Sequence, residues 1–202
     1  MPFGEHWEWR GFGHASPQFR AWFQSLPPLY PPNKALLRDA YLWTPGCMHN
    51  VKLRSDALKL KRFIARQGAF ERWLEDPRDL LPFPLHPEHV RQVQALLNAH
   101  FPSIPQEPAS REAFLALVAR ARPPVRVIVA LKQRRLSRWR LPSGEEVIVE
   151  WTQLHQPERV ETVAMEHDNL QALIRAWEGL SSHLAGLRPM NYLTFIARWA
   201  GD

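Results

Sequence analysis

Lysine and arginine alternate with apolar residues over a short stretch in the first third of the chain. Lys52 and Arg54 are separated by one residue, and so are Lys59 and Lys61 after the turn residues Ser55-Asp56. Because successive side chains of a strand point to opposite faces, this spacing predicts two β-strands that each carry two cations on one face. Four cations with no acid on one face are typical of a surface that binds polyanions. The other face takes the apolar residues Val51, Leu53, Leu58 and Leu60.

Period-two alternation of this kind recurs along the chain and predicts about eight strands. Short turns join nearly all of them, so neighbouring strands must pair antiparallel. That many antiparallel strands tend to close, or nearly close, because closure protects their edges. The predicted strands are His6–Phe12, Ala40–Trp43, Asn50–Arg54, Leu58–Phe63, Val125–Arg135, Leu136–Leu141, Glu146–Leu154 and Glu161–Asp168.

Apolar residues at helical spacing predict helices before, between and after these strands. Ser16 followed by Pro17 is a typical start for the first of them. The predicted helices are Pro17–Leu26, Gln67–Glu75, Pro87–His100, Ser110–Arg122, 169–184 and Asn191–Ala200. We therefore predict an α+β fold with residues 1–202 in a single domain. Its architecture is a closed or nearly closed eight-stranded antiparallel β-barrel, a tunnel, with a central helical insertion at about 67–122 and C-terminal helices.

The composition narrows the kind of partner and the compartment. A formal charge of +6 and a pI near 10.0 indicate anionic partners, namely phosphates, nucleic acid or acidic membrane surfaces, and composition does not choose among them. The lone Cys47 excludes an internal disulfide and a zinc site made only of cysteines. The sequence shows neither a signal-peptide pattern nor an apolar run of membrane-spanning length. We expect a cytoplasmic protein with no membrane partner.

Closure of the predicted sheet would turn its charged faces toward one interior. A dry core does not tolerate many unpaired charges, because each loses its hydration. A wet tunnel that binds a polyphosphate together with a metal ion does tolerate them. The charged residues on these faces are Glu8, Arg10, Lys52, Arg54, Lys59, Lys61, Lys132, Arg134, Glu150 and Glu166.

In this order the motifs resemble the CYTH superfamily, the triphosphate tunnel metalloenzymes. That family opens with a strand written ExExK, and the matching place is His6-Trp7-Glu8-Trp9-Arg10, with His6 where a Glu is expected. A late acidic strand of the family resembles residues 163–168, where Ala164 replaces one of the acids. The family's basic strands resemble Val51–Arg54, Leu58–Lys61 and Ala130–Arg135, and its Ser-Tyr motif has an approximate counterpart in Asn191-Tyr192-Leu193.

The resemblance implies a metal-dependent hydrolase of a small triphosphate-containing molecule, which is inorganic triphosphate, thiamine triphosphate or a nucleoside triphosphate. It implies Mg²⁺ or Mn²⁺ as the cofactor, bound by Glu8, Glu150 and Glu166. Imidazole can ligate Mn²⁺ but suits Mg²⁺ poorly, so His6 leaves the preferred metal open. The implied catalytic residues are Glu8, Glu166 and Arg10. The implied phosphate-binding residues are Arg10, Lys52, Arg54, Lys59, Lys61, Lys132 and Arg134.

Three alternatives stay open at this point. The same class includes adenylate cyclases. A protein of this class that has lost efficient catalysis would bind polyphosphate or a nucleotide without turnover, and His6 and Ala164 favour this alternative. The basic run Lys132–Arg140, with Trp139 as a stacking platform, would suit single-stranded nucleic acid, the partner that we favour least.

Overall fold

The computed structural model describes residues 4–31 and 35–201. Ten strands lie within these ranges: β1 Gly4–Gly13, β2 Leu37–Trp43, β3 Asn50–Arg54, β4 Ala57–Gln67, β5 Phe70–Glu75, β6 Leu80–Pro82, β7 Arg126–Arg140, β8 Glu146–Gln156, β9 Val160–His167 and β10 Leu187–Pro189. The same ranges contain five α-helices: α1 Pro17–Ser25, α2 Pro87–Leu96, α3 Arg111–Val118, α4 Leu170–Leu180 and α5 Tyr192–Ile196. None of the helices in the described ranges is both long and apolar enough to cross a membrane.

The strands join into one sheet whose order closes on itself. Hydrogen bonds connect them in the order β10-β1-β5-β4-β3-β2-β7-β8-β9, and β1 also pairs with β9. Among the described residues, eight strands from β1 round to β9 therefore form a closed antiparallel barrel. Two short strands are additional, β10 beside β1 and β6 beside β4. The predicted α+β fold with a closed eight-stranded barrel is confirmed.

Two parts of the prediction from sequence are wrong at the level of elements. The segment predicted as a helix at Gln67–Glu75 contains strand β5, because its side chains are buried alternately, as in a strand. The spacing of Phe70, Trp73 and Leu74 is compatible with a helix as well as with a strand, so this spacing alone does not distinguish the two. The predicted strands Val125–Arg135 and Leu136–Leu141 are one continuous strand, β7.

Contacts along the chain divide the structure into two compact units. Unit 1 takes the described residues up to Leu37, together with Ile64–Leu74 and Ala130–Asn191. Unit 2 takes Arg38–Phe63, Glu75–Val129 and the described residues from Tyr192 onward. The assignment of residues 1–202 to a single domain stays a prediction.

The core of unit 1 packs the apolar faces of β1, β8 and β9 against α1 and α4. Helix α1 begins where predicted: the Ser16 hydroxyl accepts a hydrogen bond from the Phe19 amide at 3.0 Å. The buried carboxylate of Glu161 on β9 accepts bonds from the Ala15 amide at 2.9 Å and from Arg20 Nη2 at 2.7 Å. These bonds fix α1 to the sheet.

The core of unit 2 packs the apolar face of β3 and β4 against α2 and α3. The predicted alternation is confirmed here, since the four apolar residues between the cations are all buried. They are Val51, Leu53, Leu58 and Leu60, each no more than 4% exposed. The cations of β3 and β4 consequently share the opposite face of these strands.

Candidate functional site

Buried charges in unit 1 lie on four adjacent strands. Strand pairing places Glu8 on β1 directly opposite Glu166 on β9, and Arg10 on β1 opposite Ala164 on β9. Ala164 is also the register partner of Glu150 on β8. Strand β7, the next neighbour of β8, contributes Lys132 and Arg134. Predicted residues that are far apart in the sequence thus lie on neighbouring strands.

Arg10 is held between two carboxylates. Its Nε donates to Glu8 Oε1 at 2.7 Å, and its Nη1 donates to Glu150 Oε1 at 2.9 Å. From the other side, Arg134 Nε donates to Glu150 Oε2 at 2.5 Å. The Thr152 hydroxyl adds a further bond to Glu150 Oε1 at 3.0 Å. A continuous chain of charge-assisted hydrogen bonds therefore runs Glu8–Arg10–Glu150–Arg134.

The charges in this chain stabilise one another against burial. Burial by itself would raise the pKa of Glu150, but Arg10, Arg134 and Lys132 outweigh it and hold that pKa well below its usual range. Burial likewise opposes the charged form of Arg134, yet Glu150 and Glu166 leave the pKa of Arg134 above its ordinary value. Glu150 is therefore ionised at neutral pH.

Ala164 explains how Arg10 reaches Glu150. The two residues belong to β1 and β8, and β9 lies between them with the fully buried Ala164 at the same level. A methyl group leaves room for the guanidinium to cross β9. A longer side chain at this position would occupy the crossing point, and an acidic one would compete with Glu150 for Arg10.

His6, Glu8 and Glu166 form a group that fits a metal ion. One ligand atom from each lies within 4.8 Å of the others, and all three residues are buried. Carboxylate oxygen and imidazole nitrogen are both accepted donors for divalent cations, so this donor set fits the metal that the resemblance implies. The structure brings together two of the three predicted metal residues, with His6 as the third donor. Glu150 is engaged by two arginines instead, and its role as a metal ligand stays a prediction.

The predicted cations of unit 2 are clustered and largely covered. The side chains of Lys52, Arg54, Lys59 and Lys61 are 12–21% exposed, so they do not form an open solvated face. Strand pairing sets Lys52 directly opposite Lys59. Like charges at opposed positions destabilise a sheet unless acids compensate them.

Two buried acids supply that compensation. Asp39 on β2 accepts from Arg54 Nε at 2.7 Å and from Arg54 Nη2 at 2.8 Å, as a two-pronged pair. Glu75 on β5 lies 2.5 Å from Lys59 Nζ and 3.2 Å from Lys61 Nζ. Burial would raise the pKa of Glu75, but Lys61, Lys59 and Lys52 together hold it far below its usual range.

Sequence reasoning missed both acids. Asp39 lies just before the predicted start of its strand, on the face of β2 that also carries Tyr41. The apolar spacing around Glu75 predicts a helix, and a helix would not place this acid on a sheet beside the cations. Extending the predicted strand backward by one residue would have included Asp39.

The approximate Ser-Tyr counterpart has a packing role in unit 2. The ring of Tyr192 on α5 stacks on Tyr41 of β2, with centroids 5.4 Å apart and planes 15° apart. Lys52 Nζ lies over the Tyr41 ring, 5.2 Å from its centroid. The stacked pair thus attaches the C-terminal helix to the strand beside the cations.

This barrel, with acids and cations on its first and late strands, has the fold of a CYTH-type protein, so the predicted resemblance is confirmed as a likeness of fold. Among solved structures, a proposed adenylyl cyclase from Hippeastrum, described with a dominant triphosphatase activity, is 13% identical, with 98% of this chain and 97% of that chain covered and a TM-score of 0.52.

Two further solved structures match over most of their length. A conserved hypothetical protein from Pyrococcus furiosus is 13% identical, covering 94% of this chain and 98% of that one, with a TM-score of 0.49. A proposed adenylate cyclase from Bacillus halodurans is 11% identical, covering 98% and 99%, with a TM-score of 0.47. No family model matches the sequence. No curated protein matches it either.

Proposed function

We propose that this protein is a metal-dependent hydrolase of a small triphosphate-containing molecule. The observation that carries the proposal is the buried group His6, Glu8 and Glu166, adjoining the Glu8–Arg10–Glu150–Arg134 chain. The triphosphatase activity described for the Hippeastrum protein, which shares the fold, supports the same class of substrate.

Each group of the site has a role that its chemistry suits. Hydrolysis at a terminal phosphate requires neutralised charge on the phosphate oxygens and a water in line with the leaving group. In the proposal, Arg10 and Arg134 bind phosphate oxygens through their planar guanidinium groups, with Lys132 as a further cation. His6, Glu8 and Glu166 would hold the metal. A bound divalent ion would supply charge neutralisation and a more acidic water.

The balance of charge in unit 1 favours binding of metal and anion together. Three carboxylates, Glu8, Glu150 and Glu166, accompany three cations, Arg10, Lys132 and Arg134. With His6 neutral, these groups have no net charge and exert little net attraction on a triphosphate. A divalent cation on the carboxylates makes the set positive. The proposal therefore includes an anion site that depends on its metal.

The four cations of unit 2 keep a proposed role in binding phosphate. Lys52, Arg54, Lys59 and Lys61 outnumber Asp39 and Glu75, so this cluster is positive without any metal. It is suited to a polyanion by its own charge.

Phosphate release tests the proposal directly. We would assay inorganic triphosphate, ATP and thiamine triphosphate with Mg²⁺, Mn²⁺ or EDTA, and measure cyclic AMP in the ATP samples. We expect metal-dependent turnover that falls about 100-fold or more in Glu166→Gln, as for loss of a preorganised charge. Glu178→Gln, on the exposed side of α4, is the matched control and should keep wild-type turnover.

The other outcomes decide between the alternatives. Formation of cyclic AMP in place of phosphate would show that the protein is a cyclase and not a hydrolase. Thermal stabilisation by triphosphate without turnover would mean a binding protein. Oligonucleotide binding without triphosphate binding or turnover would overturn the proposal. The structure does not favour this outcome, because Trp139 packs edge-on against Trp22, with ring centroids 5.1 Å apart, and Lys132 is buried.

A further inference from the structure

We propose that the site formed by His6, Glu8 and Glu166 selects first-row transition ions, Mn²⁺, Co²⁺ or Zn²⁺, over Mg²⁺ and Ca²⁺. This inference rests on the proposed function and deepens it, because it names the class of metal that the same site takes. It depends on one feature of this chain, an imidazole among carboxylates.

The chemistry of the donors sets the preference. Mg²⁺ and Ca²⁺ are hard cations that bind through oxygen, and Mg²⁺ gives up its water reluctantly. Imidazole nitrogen is a ligand for all the first-row transition ions, although it binds Mn²⁺ more weakly than the later ions of the series. A site of one imidazole nitrogen and two carboxylates should therefore have a higher affinity for a transition ion than for Mg²⁺.

The hydrogen bonding of His6 supports a role as a ligand. Its Nδ1 lies 3.4 Å from the carbonyl oxygen of Gly4, which can accept the Nδ1 proton. When Nδ1 carries the proton, Nε2 presents a lone pair for a metal. Ligating histidines commonly hold their ring in this way, with the second nitrogen donating to a carbonyl or a carboxylate.

Strand geometry places the imidazole in the site. His6 and Glu8 are two residues apart on β1 and so share a face, and His6 is only 1% exposed. Glu8 also accepts a hydrogen bond from Arg10, which occupies one of its oxygens. A cation in this group therefore meets few carboxylate oxygens, and a hard ion that prefers many of them is at a disadvantage.

The test measures metal binding to the metal-free full chain without any substrate. We would follow Mn²⁺ by the loss of its free-ion electron paramagnetic resonance signal and then titrate Mg²⁺ as a competitor. We expect Mn²⁺ to bind at least about 10-fold more tightly than Mg²⁺. This factor is about the smallest change in metal affinity that follows when residues around a metal's ligands are substituted. Pulsed resonance of the Mn²⁺ complex should show coupling to an imidazole ¹⁴N nucleus.

Two variants make the test specific. His6→Glu gives three carboxylates, and we expect it to remove the ¹⁴N coupling and bring the Mn²⁺ and Mg²⁺ affinities closer together. His155→Glu makes the same change on the exposed end of β8 and should alter neither quantity. The ¹⁴N measurement needs only the wild-type chain, so it is decisive even if His6→Glu does not fold.

Equal affinities for the two ions, or a Mn²⁺ complex without ¹⁴N coupling, would overturn the inference. Hydrolysis supported by Mg²⁺ in such a protein would leave the proposed function standing. Selective Mn²⁺ binding without any turnover of a triphosphate would support the inference and overturn the proposed function. The two failures are therefore distinguishable.

Discussion

At the scale of single residues, Glu150 is the most heavily engaged group of unit 1. It accepts bonds from Arg10, Arg134 and Thr152, and it is buried. Contacts of this kind orient the two guanidinium groups. The same contacts engage both of its oxygens, whereas Glu8 and Glu166 lie with His6 in the group that could hold a metal ion.

We predict that Glu150→Gln destabilises the protein by about 3 kcal/mol at pH 7, since breaking a buried charge pair leaves charge uncompensated. The pKa of Glu150 is lowered in the folded state, so its contribution is complete above the ordinary glutamate pKa of about 4.3 and is lost as the pH falls below that value. Urea denaturation at pH 7, 5, 4 and 3 should show the gap between wild type and variant narrowing below about pH 4. A gap that stays constant would contradict the prediction.

Kinetics and metal binding separate the two roles that Glu150 could have. If it positions Arg10 and Arg134, Glu150→Gln should keep Mn²⁺ binding and raise KM for the triphosphate. If Glu150 is a metal ligand, as the resemblance implies, Glu150→Gln should also lower the affinity for Mn²⁺. Glu178→Gln serves again as the control for the loss of one surface charge.

At the scale of elements, β5 matters because it brings an acid to the cations of β4. Glu75 touches Lys59 and Lys61, and its pKa is also lowered by Lys52. Without this carboxylate, the opposed lysines of β3 and β4 would repel each other across the ladder.

We predict that Glu75→Gln lowers the free energy of unfolding by about 3 kcal/mol at low salt, because a buried ion pair is broken. Added phosphate or triphosphate, without metal, should restore more stability to the variant than to wild type. Thermal melts across a salt series, with and without triphosphate, would measure this. Equal stabilisation of the two proteins by triphosphate would show that these lysines do not bind the anion.

The elements also show what could be predicted from sequence and what could not. Alternation along β3 and β4 predicted both the cation face and the buried leucines, because the period of two is fixed by strand geometry. Segment 70–75 was not predictable in this way, since its apolar spacing fits a helix as well. The bond from Arg10 to Glu150 depends on pairing between strands 140 residues apart in the chain. No local pattern contains that register.

At the scale of the whole molecule, the proposed function and the balanced charges of its site lead us to expect that metal and triphosphate bind cooperatively. Coupling of this kind is reciprocal, so each ligand must raise the affinity for the other by the same factor. We predict that Mn²⁺ increases the affinity for a non-hydrolysable triphosphate analogue by about 10-fold or more. Calorimetric titration of the analogue, with and without Mn²⁺, measures the factor.

A second variant of unit 1 provides the control for this measurement. Lys132→Gln removes a proposed phosphate ligand that is not part of the group His6, Glu8 and Glu166, so it should weaken binding of the analogue while leaving the coupling factor unchanged. Equal affinity with Mn²⁺ and with EDTA in the wild-type protein would refute the cooperative site.

The methyl side chain of Ala164 has a consequence for how this site can change over time. Arg10 reaches Glu150 across β9, and the residue of β9 that lies between them has only a methyl side chain. We expect a larger side chain at position 164 to disrupt the contact between Arg10 and Glu150 unless one of those two residues changes as well. The effect of a substitution at any of the three positions should therefore depend on the residues at the other two.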